Sequence, residues 1–307
     1  MARIVPWLDR HQIPLYLLAL GVGAAVGLIV PVSEAWIDPL LMALIYATFL
    51  GLPLASPSST LGSSLRDTRF LAALLVLNFV LVPAVVYLLT RPIAQNHTLL
   101  IGVLLVLLAP CVDYVIVFSG LAGGAKEKLL AATPLLMGLQ MLLLPVYLRF
   151  FAPAASEVFQ LSPFIRAFLL LIALPFAAAA LTQRLPIAQR AQHTAESSMV
   201  PLMMLTLAVV VASQIPAVRH DLPLAAIPIY VAFLLIMAPI GALTAKVFHQ
   251  DVPATRALVF SGATRNSLVV LPLALTVPGA AAVVVTQTLV ELLGMVVYVR
   301  LLPRFIR

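Results

Sequence analysis

The stretch that decides the fold is LLAPCVDYVIVFSG, residues 107–120. Its flanks are continuously apolar, as in a helix buried in protein or membrane. Its middle holds Pro110, the only cysteine, Cys111, and an acid, Asp113. A proline inside a helix removes a main-chain donor and clashes with the preceding turn. Gly120, Gly123 and Gly124 follow. The segment therefore predicts an apolar helix interrupted where its thiol and its charge lie.

The rest of the chain sets the solvent of that helix. The 307 residues are 63% hydrophobic and 9% charged, with a mean hydropathy of +1.13. Soluble domains carry about 25% charged residues, and a surface this poor in charge cannot face water. The chain reads as an all-α integral membrane protein. A strand barrel is excluded by the absence of period-two alternation and by the length of the apolar runs. One cysteine excludes an internal disulfide and a four-cysteine zinc site. No cofactor is expected. The net charge of +7 sits in short loops rather than on one face, so nucleic acid is not an expected partner.

Apolar runs of about 17–25 residues mark membrane-crossing helices. Ten are expected, near 14–30, 36–54, 70–90, 98–119, 128–150, 161–182, 198–214, 223–245, 254–277 and 280–302. The first follows a basic start, as a leader would. Its length and the lack of a small-x-small cleavage site predict a retained helix. With a cytoplasmic N-terminus, thirteen of the eighteen basic residues fall on the inside. Only Arg91, Arg149, Arg166 and Arg219 fall outside, and Arg265 lies within a span. This bias predicts ten crossings with both ends in the cytoplasm of a cell (inner) membrane.

The two halves of the chain repeat each other. PLLMALIYATFL (39–50) reads like PLMMLTLAVVVA (201–212), and QMLLLPVYLR (140–149) like ELLGMVVYVR (291–300). In the second pair Gln140, Tyr147 and Arg149 fall on Glu291, Tyr298 and Arg300 at one constant offset. APCVDYVIVF (109–118) lies on GATRNSLVVL (262–271). Each partner comes five spans later, and an odd number inverts its orientation. The expected architecture is one transporter domain over 1–307, built of two inverted five-helix repeats at about 12–152 and 160–304. Spans 4 and 9 are its broken, crossing helices. Interrupted helices at matching places in two halves point to a transport site.

Ionisable groups are costly in hydrocarbon and mark function. Three are expected there: Asp113, Arg265 and Glu291. Asp113 and Arg265 occupy the two broken spans, where a crossing brings opposite charges within reach. They form either a structural ion pair or a substrate contact. Glu291 shares a helix face with Gln287, Gly294 and Tyr298, matched in span 5 by Gln140 and Tyr147. A mid-span carboxyl is a candidate to carry protons, or else a hydrogen-bonding group between helices. Cys111, beside Pro110 in the break, is a soft ligand suited to a metalloid; a small buried hydrophobe is the plainer role for a single cysteine. Asn78, Pro83 and Pro239 are expected to shape helices or bond across them. The serines of SPSSTLGSS (56–64) are expected in a solvated loop.

These features together resemble the bile acid/sodium symporter superfamily, and within it the arsenite efflux permeases of the arsenical-resistance branch. LVELLGMVVYV (289–299) is similar to that branch's span-10 motif and SGATRNS (261–267) to its span-9 motif. The resemblance implies a required cysteine in span 4, matched by Cys111, and a required glutamate in span 10, matched by Glu291. It implies arsenite export, possibly antimonite, by proton antiport. Cys111 would contact the metalloid, Thr264 and Asn266 its hydroxyls, and the two halves would rock about the site. Asp113 and Arg265 depart from the branch's pattern, and an added Arg suits an anion. LVFSGA (258–263) lacks the acid that sodium-coupled members carry there, which favours proton over sodium coupling. The alternative is an organic-anion carrier of the same fold, with Arg265 on a carboxylate. No pairing of catalytic residues suggests an enzyme. The expected partners are a small-molecule substrate, protons and the lipid membrane.

Overall fold

The computed structural model describes residues 7–8, 11–30, 32–50, 67–112, 114–153, 169–220 and 223–307. Among these, every regular element is a helix, apart from one isolated bridge. The helices are α1 (Gln12–Ile29), α2 (Ile37–Leu50), α3 (Thr68–Val76), α4 (Val82–Thr90), α5 (His97–Leu107), α6 (Tyr114–Leu121), α7 (Lys126–Phe151), α8 (Leu174–Thr182), α9 (Ala188–His220), α10 (Ala226–Val247), α11 (Val252–Ala263), α12 (Ser267–Ala274) and α13 (Ala280–Phe305). Among the described residues, five stretches are long and apolar enough to cross a membrane: Thr68–Ile93, Lys126–Phe151, Ala188–Ser213, Ala226–Val247 and Ala280–Phe305. A 26-residue helix is about 39 Å long, more than the roughly 30 Å of a hydrocarbon core.

The chain divides into two compact units, each taking helices from both halves of the sequence. The first contains α1, α2, α8 and α9. Here α1 lies directly on α9. A Cβ added to Gly23 would stand 2.5 Å from the carbonyl oxygen of Ala208, and one added to Gly27 would stand 2.4 Å from that of Ala212. Small residues four apart on both helices let the two backbones touch, the usual packing device where no hydrophobic effect drives association. The Gln183 amide donates to the carbonyls of Phe49 and Leu50 at 3.4 and 3.2 Å. It thereby satisfies acceptors that the end of α2 leaves open.

Helix α9 is longer than its apolar run. A span was expected at 198–214, whereas the helix begins at Ala188. Its first turns, AQRAQHTAESS, are polar but contain neither Gly nor Pro and are rich in good helix formers. Hydropathy locates the apolar part of a helix, while propensity decides where it starts.

The second unit contains α3 to α7 and α10 to α13. Between α3 and α4 the helix widens into a π-helical turn, Leu77–Leu81. Pro83 is the cause: it has no N–H to give the carbonyl four residues earlier, that of Phe79. The hydroxyl of Tyr147, from α7, donates to that Phe79 oxygen instead, at 2.7 Å. A parallel bond joins α13 to α10, where the Tyr298 hydroxyl donates to the Leu234 carbonyl.

Two segments of this unit are helix, extended turn, helix. Residues 108–112 follow α5 and lead toward α6, and residues 264–266 separate α11 from α12. The polar starts are capped: Asn96 accepts from the Leu99 N–H, Asp251 from Ala254 and Asn266 from Val269. Apolar residues on every side mark a helix buried on every side. Leu99–Leu107 of α5 and Ala257–Ala263 of α11 are accordingly buried throughout.

Candidate functional site

The two interruptions pair with each other. Pro110 and Arg265 form an antiparallel bridge. The Asn266 N–H donates to the Ala109 carbonyl at 2.8 Å, and the Cys111 N–H to the Thr264 carbonyl at 3.4 Å. Backbone leaving a helix must find other partners when buried, and here each break supplies them to the other.

The peptide group joining Thr264 to Arg265 is held at both ends. Its carbonyl accepts from Cys111, and its N–H donates to a carboxylate oxygen of Glu291 at 2.7 Å. Glu291 stands in the middle of α13 and is 1% exposed. The same oxygen accepts from the Gln287 amide, one turn earlier on α13. A carboxylate is also well placed near the start of α12, where main-chain N–H groups point outward. Thr288 extends the contact by donating to the Ser267 hydroxyl at 2.7 Å.

Arg265 turns its side chain the other way and is fully buried. Its Nη2 donates to the carbonyls of Ser261 and Gly262 and to Oδ1 of Asn78 at 3.0 Å. Its Nη1 donates to the Leu107 carbonyl at 3.4 Å. The carbonyls belong to the C-terminal turns of α11 and α5, whose dipoles favour a cation. The guanidinium carbon lies 5.5 Å from the centre of the Phe233 ring on α10.

Of the expected site residues, Pro110, Cys111, Thr264, Arg265, Asn266, Gln287 and Glu291 thus come together at one crossing. Cys111 and Asn266 are 1% exposed and Thr264 is fully buried. The Thr264 hydroxyl donates to the Phe260 carbonyl at 2.7 Å, so its hydrogen is committed within α11. Asp113 lies outside the described residues, so its expected pairing with Arg265 does too. Tyr298 sits farther along α13 and bonds to α10. Gln140 is 1% exposed on α7, and neither of its amide atoms has a hydrogen-bond partner among the described residues. Asn266 Nδ2, Gln287 Oε1 and the Ser119 hydroxyl share that condition. Buried polar atoms are rarely left so, which makes these four side chains candidates to meet a polar ligand.

Sequence reasoning undervalued Asn78. It was expected only to shape or join helices. Its amide donates to Leu74 and to the Ser261 hydroxyl, each at 3.0 Å, which turns Oδ1 onto Arg265. A polar side chain next to a helix-widening proline was the available signal.

Residues 37–221 match the sodium bile acid symporter family. That is more than half of the chain. The chain belongs to this family. It is therefore a multi-pass membrane transporter of a small molecule. The match includes the Cys111 break and ends before the Thr264–Asn266 break. No curated protein matches the chain.

Proposed function

We propose that this transporter exports arsenite, and antimonite as its close analogue, in exchange for protons. The observation that supports it most is the shared peptide group: Cys111 and Glu291 hold opposite ends of the Thr264–Arg265 link. Near neutral pH arsenite is an uncharged trihydroxide. A soft thiol suits trivalent arsenic, and the Asn266 Nδ2 and Gln287 Oε1 atoms, which have no partner among the described residues, suit hydroxyl groups. Protonation makes a carboxyl a weaker acceptor. A proton reaching Glu291 would loosen its bond to the Arg265 N–H, and with it the backbone that positions Cys111. Cargo release and proton entry would then act on one peptide.

In this reading ten spans cross the cell membrane with both ends in the cytoplasm, as two inverted halves whose fourth and ninth spans are broken. The matched tyrosine bonds, Tyr147 to Phe79 and Tyr298 to Leu234, support the repeat. They tie the fifth span to the third and the tenth to the eighth.

Family membership favours a second reading, an organic-anion carrier coupled to sodium or protons. Against it, the Arg265 guanidinium is already engaged by four protein oxygens and is fully buried. Everted membrane vesicles loaded with a pH gradient separate the two. Arsenite accumulation that drops roughly tenfold or more in Cys111→Ser and in Glu291→Gln supports arsenite–proton exchange. Unchanged accumulation in both variants sinks it. Inhibition by organic anions with no effect of Cys111→Ser selects the second reading.

A further inference from the structure

We propose that the C-terminal ends of α10 and α13 form a binding site for an anionic phospholipid. Its phosphate lies against Lys246, Arg300 and Arg304, and its acyl chains along the exposed apolar faces that lead to them.

Residues seven apart lie on nearly the same side of a helix. Arg300 comes seven residues after Leu293, and Arg304 seven after Val297. Leu293 and Val297 are at least half exposed, and both arginines are exposed. One side of α13 therefore changes from apolar to basic along its length. On α10, Leu235 and Leu243 are exposed, and so is Lys246 in the last turn. Lys246 stands about three turns beyond Leu235, so that face also ends on a base. The two helices run side by side in one direction. Tyr230 donates to the Val283 carbonyl, and farther along both helices Tyr298 donates to that of Leu234. Their basic ends therefore lie at the same edge of the second unit.

The depth suits a headgroup. From Glu291, in the middle of α13, to Arg300 is about 13.5 Å of helix. That is close to half of a hydrocarbon core about 30 Å thick. The charge is also available. Among the described residues, the side chains of Lys246, Arg300 and Arg304 make no hydrogen bond or ion pair. Asp251, the acid nearest to Lys246 in the sequence, accepts from the Ala254 N–H as the cap of α11. Helix C-termini ordinarily repel anions, but here their carbonyls are occupied. The Phe248 and Gln250 N–H groups donate to Thr244 and Ala245 at 3.0 and 2.9 Å. Beyond α13, Arg256 donates from Nε and Nη2 to the Ile306 carbonyl at 3.2 and 2.7 Å. Basic side chains clustered at the end of an apolar membrane face attract anionic headgroups.

The inference depends on neither the cargo nor the coupling ion. The full-length protein, purified in a non-ionic detergent, is heated with added phosphatidylglycerol or phosphatidylcholine. Bound lipid is counted by native mass spectrometry. Phosphatidylglycerol is expected to raise the wild-type melting temperature by several degrees, with a saturable dependence, and phosphatidylcholine is not. The triple variant Lys246→Gln, Arg300→Gln, Arg304→Gln is expected to need at least about tenfold more phosphatidylglycerol for half of that shift, and to retain less of it. The double variant Arg69→Gln, Lys126→Gln removes two exposed cations that continue no exposed apolar face. It is expected to respond as the wild type does.

Equal weakening in both variants overturns the proposal, because the lipid would then sense only overall charge. An unaltered response in the triple variant overturns it, as does a wild type that does not distinguish the two lipids. Protection of the wild type by glycerol 3-phosphate alone overturns the lipid assignment, since a headgroup without chains would suffice. If the triple variant does not fold, Arg300→Gln alone is expected to weaken the response about fivefold, and no weakening there overturns the site.

Discussion

Cys111 and Glu291 hold opposite ends of one peptide group. The Cys111 N–H reaches the Thr264 carbonyl, and the next N–H, that of Arg265, reaches Glu291. No cis peptide occurs among the described residues, so the two bonds point in opposite directions across the plane. The contact is indirect but stiff, since a peptide resists twisting.

Glu291 is thus both a proposed proton carrier and a structural acceptor, and two variants separate the roles. Glu291→Gln keeps an acceptor oxygen for the Arg265 N–H. It is expected to keep near-native thermal stability while losing transport driven by a pH gradient. Glu291→Ala leaves a buried N–H unpaired, which costs about 1–3 kcal/mol. Melting curves beside vesicle uptake check this. Equal destabilisation by both variants contradicts it.

Asn78 is expected to matter through Arg265. In Asn78→Ala the guanidinium loses one acceptor and the Ser261 hydroxyl loses its donor. A hydrogen bond to a charged group contributes about 1.5–3 kcal/mol. The expected outcome is a clear fall in melting temperature. Asn78→Asp should recover part of it, because an acid faces the buried cation.

The α1–α9 contact predicts a steric result. Gly23→Val or Gly27→Val would drive a side chain into the backbone of Ala208 or Ala212. Overpacking of this kind costs about 1–3 kcal/mol. Gly21→Ala is the control, since a Cβ there meets nothing within 4 Å. Expression level and melting temperature should fall for the first two and not for the third.

The pair at the start of α3 predicts a pH dependence. Asp67 accepts from Lys128 Nζ at 2.7 Å and from the Phe70 N–H at 3.0 Å, and the lysine first of all holds its carboxyl below the usual range. A lowered carboxyl pKa stabilises above the unfolded value and loses that stability as pH falls through the folded one. The window therefore lies below about pH 4. Both side chains are part-exposed, so Lys128→Met is expected to cost no more than about 0.5 kcal/mol at neutral pH. That cost should shrink in high salt and vanish in acid. Asp67→Ala also removes the cap of α3 and is expected to cost about 1 kcal/mol. Denaturation of the two variants at two pH values and two salt concentrations distinguishes them.

Much of the site was legible because membrane sequences advertise their exceptions. In so apolar a chain, Cys111, Arg265 and Glu291 stood out singly, and Pro110 marked the break beside them. The expected repeat then pointed to the two segments that meet. Asn78 was underestimated because one amide in a helix has many possible uses, and its spacing from Arg265 along the chain is uninformative. The full extent of α9 was missed for a different reason. Its first turns are polar, so the apolar run that identified the span could not show them.

By itself, the sequence determined that the chain is helical and membrane-embedded, and which few polar groups are buried there. Composition and local periodicity suffice for that, because hydrocarbon excludes unpaired charge and open backbone. Only the tertiary structure decided which oxygen each of those groups faces. Arg265 had an expected partner in Asp113, which lies outside the described residues; its described bonds run to three carbonyls and an amide, none of which the sequence singled out as its partner. Main-chain carbonyls are the same at every residue and leave no trace in a sequence. Where a helix ends, and which other helix ends beside it, determines which of them become ligands.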